Sequence, residues 1–231
     1  MYELIVTAVA VLCFLGFALL LIKDKYLDKV LIKFGLKENS PSTNWTAFSW
    51  ESCLQKLEHE VDVVFFGDSL VRGGDFHKAF PDKKIVNLGL SGDTLGGMRK
   101  RVSMVKSLSP KKVFFLGGIN GLTNFNGKKC IETYEKLITD LEKALPEAEI
   151  YLHSVLPLSK QKQKCICNNK KVELFNSEIE RLAEKHGHTF VNLYPLYLVD
   201  GSLDATCTKD GIHLLPEAYE KWYESIAEYM K

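Results

Sequence analysis

The sequence has little that would mark a nucleic-acid binder, a disulfide scaffold or a metal protein. Its 30 Lys and Arg offset 29 Asp and Glu to a formal net charge of +1, and no RNA- or DNA-binding motif accompanies them. A nucleic-acid partner is therefore not expected. Six cysteines, at positions 13, 53, 130, 165, 167 and 207, lack the spacing of a disulfide framework, which fits a reducing compartment. Internal repeats and low-complexity segments are also missing. What remains is a hydrophobic content of 46% and a charged content of 26%, ordinary for a globular protein. A chain of 231 residues holds one substantial α/β domain with an appendage.

The N-terminus is uneven. Leu4 to Ile22 carries no charge, a length that at about 1.5 Å per residue nearly matches a bilayer core of about 30 Å. A cleaved leader would need basic residues before the run and a small-residue site after it. Met1-Tyr2-Glu3 supplies no base, and Lys23 follows directly. Residues 1–22 are therefore expected to be a retained single-pass transmembrane anchor. Lys23, Lys25, Lys29, Lys33 and Lys37 follow the span, so the positive-inside rule places the remaining chain on the cytoplasmic face. Within the juxtamembrane segment 23–60, Tyr26, Leu27, Val30, Leu31 and Phe34 recur at helical spacing, opposite a lysine face. That pattern suits either a helix lying on an anionic membrane or a continuation of the anchor. A polar linker, Glu38 to Asn44, and a second helical stretch, Trp45 to Glu60, complete the segment.

From Val61 to Lys231 short apolar runs alternate with longer helical periodicity. Strands are predicted at Val61–Phe66, Lys84–Leu88, Lys112–Leu116, Glu149–Val155 and Thr189–Leu193. All are mostly hydrophobic, as strands buried on both sheet faces must be. Helices are predicted at Gly97–Leu108, Lys129–Leu145, Lys171–His186 and Pro216–Met230. This alternation specifies a parallel sheet with helices on both sides, and such sheets bind ligands beyond the carboxyl ends of their strands.

Four motifs fall at that edge. Gly67-Asp68-Ser69 ends the first strand and would start a helix with Ser69, where backbone N–H groups favour developing negative charge. Alone, the tripeptide reads equally as a helix cap. Ser91-Gly92-Asp93-Thr94 follows the second strand, and Gly92 can bring a bare N–H to a bound carbonyl. Gly118-Ile119-Asn120 follows the third, and its side-chain amide could donate into the same space. Asp210-Gly211-Ile212-His213 precedes the last helix. Its spacing lets the carboxylate hold imidazole Nδ1–H while Nε2 faces outward. Each motif is weak singly. Together they supply a nucleophile, a base, its orienter and further oxyanion donors.

These residues resemble the SGNH or GDSL-type hydrolases. Gly67-Asp68-Ser69-Leu70 is similar to the family's first block, Gly92 to its second, Gly118-Ile119-Asn120 to its third and Asp210-Gly211-Ile212-His213-Leu214 to its last. The likeness runs from about Val61 to Lys231 and extends to bacterial lysophospholipase-like and platelet-activating-factor acetylhydrolase-like esterases. It implies a flavodoxin-like, three-layer α/β/α fold on a five-stranded parallel sheet. It implies a serine esterase with catalytic Ser69, His213 and Asp210, and an oxyanion hole from the Ser69 and Gly92 N–H groups and the Asn120 side chain. The chain departs from the family where Gly121 follows Asn120, a position that usually carries Asp. A lipid or other small ester is the expected substrate, with O-acetyl groups on glycans or a non-catalytic binding role as alternatives. No cofactor is expected.

His153, near the end of the fourth strand, is a further candidate for substrate contact. Cys165-Ile166-Cys167 sits among Lys160, Lys162, Lys164, Lys170 and Lys171. Two cysteines are short of a metal site, so this insertion is expected to be a mobile loop able to act as a lid or shape specificity.

Overall fold

The computed structural model of the chain describes residues 61–122 and 127–231. The expected anchor at 1–22 and the juxtamembrane segment 23–60 lie outside the described residues. Among the described residues, no helix is long and apolar enough to cross a membrane.

Five parallel strands form the centre: β1 (Val63–Gly67), β2 (Ile85–Gly89), β3 (Lys112–Leu116), β4 (Glu149–His153) and β5 (Thr189–Val191), in the order β2-β1-β3-β4-β5. Each strand lies within its predicted run or a residue past it. Val, Ile and Phe dominate because both faces are covered. The side chains of β1 divide alternately, Val64 and Phe66 to one core and Val63 and Phe65 to the other.

On the first face pack α3 (Leu95–Lys100), α4 (Val102–Ser107), α6 (Gly127–Ala144) and α8 (Asn169–His186), through Met98, Val105, Leu137, Ile138, Val172 and Ile179. On the second lie α1 (Ser69–Gly73), α2 (Phe76–Ala79) and α9 (Glu220–Ile226), through Leu70, Val71, Phe76, Trp222 and Ile226. These are the three layers. Two short helices, α5 (Ile119–Leu122) and α7 (Lys160–Cys165), sit at the carboxyl edge, and a small hairpin pairs β6 (Leu198–Val199) with β7 (Ser202–Leu203).

The structure corrects three sequence expectations. Gly97–Leu108 is two helices because Arg101 leaves helical geometry (φ −100°, ψ 4°) to send its guanidinium into the interior. Pro216–Met230 is a 3₁₀ turn (Pro216–Tyr219), then α9, then a second 3₁₀ turn (Ala227–Met230). The lysine-rich insertion is not a loop throughout: Lys160–Cys165 form helix α7, capped by the Ser159 hydroxyl, Cys167 in the turn after it is buried, and Lys170 and Lys171 already belong to α8.

Strand order decides where a ligand can bind. From β1 the chain crosses to β2 on one side and returns to β3 on the other, so the connections diverge at β1 and β3. A crevice opens beyond their carboxyl ends. Register holds Gly67 beside Gly89 and Leu116, which brings the loops after β1, β2 and β3 to one level.

Candidate active site

Ser69 is the first residue of α1. The preceding Asp68 caps that helix, its Oδ1 accepting the Leu70 N–H at 3.0 Å. Gly67 is required by close approach: a Cβ there would meet the Leu116 carbonyl oxygen at 2.1 Å. Asp68 is fully buried and its Oδ2 has no hydrogen-bond partner. Burial pushes its carboxyl up to about 7 against the pull of the Leu70 N–H, and the neighbouring Asp93 charge adds to the rise.

His213 comes from the far end of the chain. Thr208 and Leu214 form an antiparallel bridge, and the Thr208 hydroxyl donates to the His213 carbonyl at 2.7 Å, closing the loop between them. Gly211 lies within it at φ +84°, and a Cβ there would come within 2.1 Å of Ser159 Oγ. The Ser159 N–H donates to the Gly211 carbonyl at 3.0 Å, so α7 is tied directly to this loop.

Three side chains then form one hydrogen-bonded chain. Asp210 Oδ2 lies 2.6 Å from His213 Nδ1, and His213 Nε2 lies 2.9 Å from Ser69 Oγ. Asp210 Oδ1 accepts the Ile212 and His213 N–H groups at 2.9 and 2.8 Å. Burial works against the Asp210 charge, but the His213 side chain and these two N–H groups outweigh it and hold the carboxyl well below the usual carboxylate range. An ionised Asp210 accepts Nδ1–H, which leaves Nε2 able to take a proton from Ser69.

Gly92 adopts the left-handed conformation at φ +75°, and Asn120 stands on α5, its Nδ2 donating to the Asp93 carbonyl at 2.8 Å. That bond braces Asn120 from the second loop, where its own loop has Gly121. Asp93 in turn is held from below. Arg101 Nε and Nη2 donate to its Oδ2 at 2.9 and 2.6 Å, while Nη1 and Nη2 reach the Leu88 and Gly67 carbonyls at 3.0 and 3.3 Å. One buried guanidinium therefore ties the ends of β1 and β2 to the Gly92–Asp93 turn. Sequence reasoning missed it. The available signal was a lone cation among Met98, Val102 and Val105 on an otherwise apolar helix face.

A cavity of about 250 Å³ opens here, lined by Ser69, Ser91, Gly92, Ile119, Asn120, Ile166, Ile212 and His213. All five predicted site residues except Asp210 line it, and Asp210 stands behind His213. His153 does not. It is fully buried, stacked beside Phe114, and accepts the Trp222 indole N–H at 3.3 Å. Burial lowers its imidazole to about 3, so it is neutral and belongs to the core. Among the described residues, no three His, Cys, Asp or Glu side chains gather where they could hold a metal ion.

Residues 65–221 match the GDSL-like lipase/acylhydrolase family. Solved structures share the fold. A Streptococcus pneumonia protein provisionally described as a platelet activating factor is 22% identical, with a TM-score of 0.73, covering 90% of this chain and 97% of its own. A GDSL-like lipase from Bacteroides thetaiotaomicron is 25% identical at a TM-score of 0.69, covering 82% and 98%. An acetyl xylan esterase is 17% identical at a TM-score of 0.63, covering 73% and 99%. None of the curated proteins matches the chain. The chain belongs to the GDSL-like lipase/acylhydrolase family and is an SGNH-type serine esterase.

Proposed function

We propose that the chain hydrolyses a short-chain carboxylic ester through an acyl-enzyme on Ser69, at a membrane held by its N-terminus. His213 takes the Ser69 proton as Oγ attacks the ester carbonyl, and Asp210 fixes the imidazole tautomer and stabilises the imidazolium. The Ser69 and Gly92 N–H groups and Asn120 Nδ2 receive the tetrahedral oxyanion. His213 then protonates the leaving alcohol, and water releases the acid by the same steps in reverse. The unbroken Ser69–His213–Asp210 chain, at 2.9 and 2.6 Å, carries this reading.

The size of the cavity and its Ile119, Ile166 and Ile212 walls favour a short acyl group enclosed within it. A longer lysophospholipid tail would have to leave the cavity and run along the surface, which a membrane location permits. Membrane attachment rests on the uncharged run Leu4–Ile22 and the lysines after it, which also favour the cytoplasmic face. The acetyl xylan esterase likeness supports a second reading, removal of acetyl groups from glycans. Against it, no aromatic ring suited to stacking on a sugar is among the described residues lining the cavity.

Hydrolysis of p-nitrophenyl acetate by purified variants tests the mechanism. Ser69→Ala and His213→Ala should each lose activity by about 10⁴-fold or more, and Asn120→Ala by about 10²–10³-fold in kcat. A fluorophosphonate probe should label the wild type and not Ser69→Ala. Full activity in Ser69→Ala, or no labelling of the wild type, overturns the assignment. Absence of labelling would instead favour a binding module on the esterase fold.

A further inference from the structure

Beyond the machinery that cleaves an ester, a cation adjoins the cavity through one of its lining residues. Arg72 sits in α1 one helical turn after Ser69 and is exposed. Its Nη1 donates to Ser91 Oγ at 3.2 Å, and no carboxylate among the described residues pairs with it. Ser91 lines the cavity beside Gly92. A hydroxyl has one proton to give and can accept two bonds. By accepting from Arg72, Ser91 keeps its own O–H for a ligand, and Arg72 keeps its remaining N–H groups.

The segment that brings Ile166 to the cavity carries charge of one sign. Ile166, another lining residue, ends a stretch begun by α7, and residues 159–172 contain five lysines and no Asp or Glu. The acids at the site are already engaged or enclosed. Asp210 is paired with His213, Asp93 with Arg101, and Asp68 is buried. The lining is also divided by chemistry. Ile119, Ile166 and Ile212 offer an apolar wall suited to an acyl group, while Ser91, with Arg72 hydrogen-bonded behind it, offers a polar one suited to the alcohol.

We propose that Arg72 and Ser91 form a subsite for a phosphate group on the alcohol of the substrate, so that the preferred substrate is an acyl ester of a phosphorylated polyol. This deepens the esterase reading and rests on it. A planar guanidinium with several N–H groups matches phosphate oxygens, and the Ser91 hydroxyl adds a donor beside it. The lysines of α7 add attraction that salt screens.

The test uses the full chain in detergent and two matched pairs. One is 1-butanoylglycerol 3-phosphate against 1-butanoylglycerol; the other is 1-palmitoylglycerol 3-phosphate against 1-palmitoylglycerol in mixed micelles. In the butanoyl pair, kcat/KM should favour the phosphate ester by about 10–100-fold. That preference should collapse to within about threefold in Arg72→Gln and survive largely in Arg72→Lys, with the change in KM. Ser91→Ala should lower it several-fold. Raising salt from 50 to 500 mM should erode the preference in the wild type. A preference in the butanoyl pair alone identifies a water-soluble phosphate ester, and one in both pairs admits a lipid headgroup. Equal turnover of phosphorylated and neutral esters, or a preference unchanged in Arg72→Gln, overturns the subsite and leaves the esterase reading standing. If no ester is cleaved and the fluorophosphonate fails to label Ser69, the esterase reading itself falls, and the subsite with it.

Discussion

Asp68 and Ser69 are neighbours with opposite demands. Ser69 faces the cavity and His213, whereas Asp68 is turned inward as the cap of α1, one carboxyl oxygen bonded and the other without a partner. Its folded-state value of about 7 lies well above the 3.8 of an ordinary aspartate. The sign follows from linkage. A carboxyl harder to ionise when folded costs nothing below about pH 4, where both states are protonated. The cost grows as pH rises and is complete above about pH 7. Asp68→Asn keeps the cap and cannot ionise. Between pH 4 and pH 8 the wild type should lose on the order of 3 kcal/mol of unfolding free energy relative to this variant. Urea denaturation at several pH values checks it, and parallel pH profiles would refute a protonated Asp68.

At the scale of elements, the break between α3 and α4 and the lysine-rich helix α7 both serve the site. Arg101 interrupts a helix so that its guanidinium can join Asp93, the ends of β1 and β2, and the face of Phe66, 4.9 Å from the ring centre. Removing one partner of such a pair leaves a buried charge uncompensated. Arg101→Met should therefore lower unfolding free energy by about 3–5 kcal/mol, and adding Asp93→Asn should restore part of it. Denaturant curves for the single and double variants measure both.

The caps of α7 serve the site: Ile166 at its C-terminal end lines the cavity wall, and Ser159 at its N-terminal end holds the His213 loop through Gly211. Ile166→Ala should enlarge the acyl side. The hexanoyl-to-acetyl ratio of kcat/KM for p-nitrophenyl esters should then rise by about tenfold, as a few methylenes of apolar contact allow. An unchanged ratio would remove Ile166 from the acyl wall. The insertion looked like a loop in sequence because its alternating lysines and glutamines carry no apolar stripe. Its helix depends on the Ser159 cap, on Gln163 donating to the Leu158 and Gly201 carbonyls, and on buried Asn169 donating to those same two groups. Of these partners Gly201 is distant in the chain, 38 residues from Gln163 and 32 from Asn169.

For the whole molecule, the proposed anchor makes location part of function. The full chain should stay in the membrane pellet after alkaline carbonate extraction. Leu12→Arg combined with Leu15→Arg should release it, since each arginine at the centre of a span costs about 2.5–3.5 kcal/mol. In the orientation the lysines favour, protease should cut the esterase in inverted vesicles and spare it in intact cells. Cleavage in intact cells would reverse the orientation.

The sequence by itself determined the sheet and the four motifs at its edge. Fully buried parallel strands must be continuously apolar, and the turns that follow them must carry the small and polar residues that chemistry uses. It also determined that Asp210 can orient His213, because three-residue spacing is local geometry. Only the tertiary structure decided that His213 meets Ser69, that the Asp93 carbonyl braces Asn120, and that Arg101 locks these loops together. Those contacts join segments 8 to 144 residues apart, and their geometry depends on strand order and packing. The same holds for Arg72 beside the cavity. In the chain it is one basic residue in a short helix, and folding sets it against Ser91.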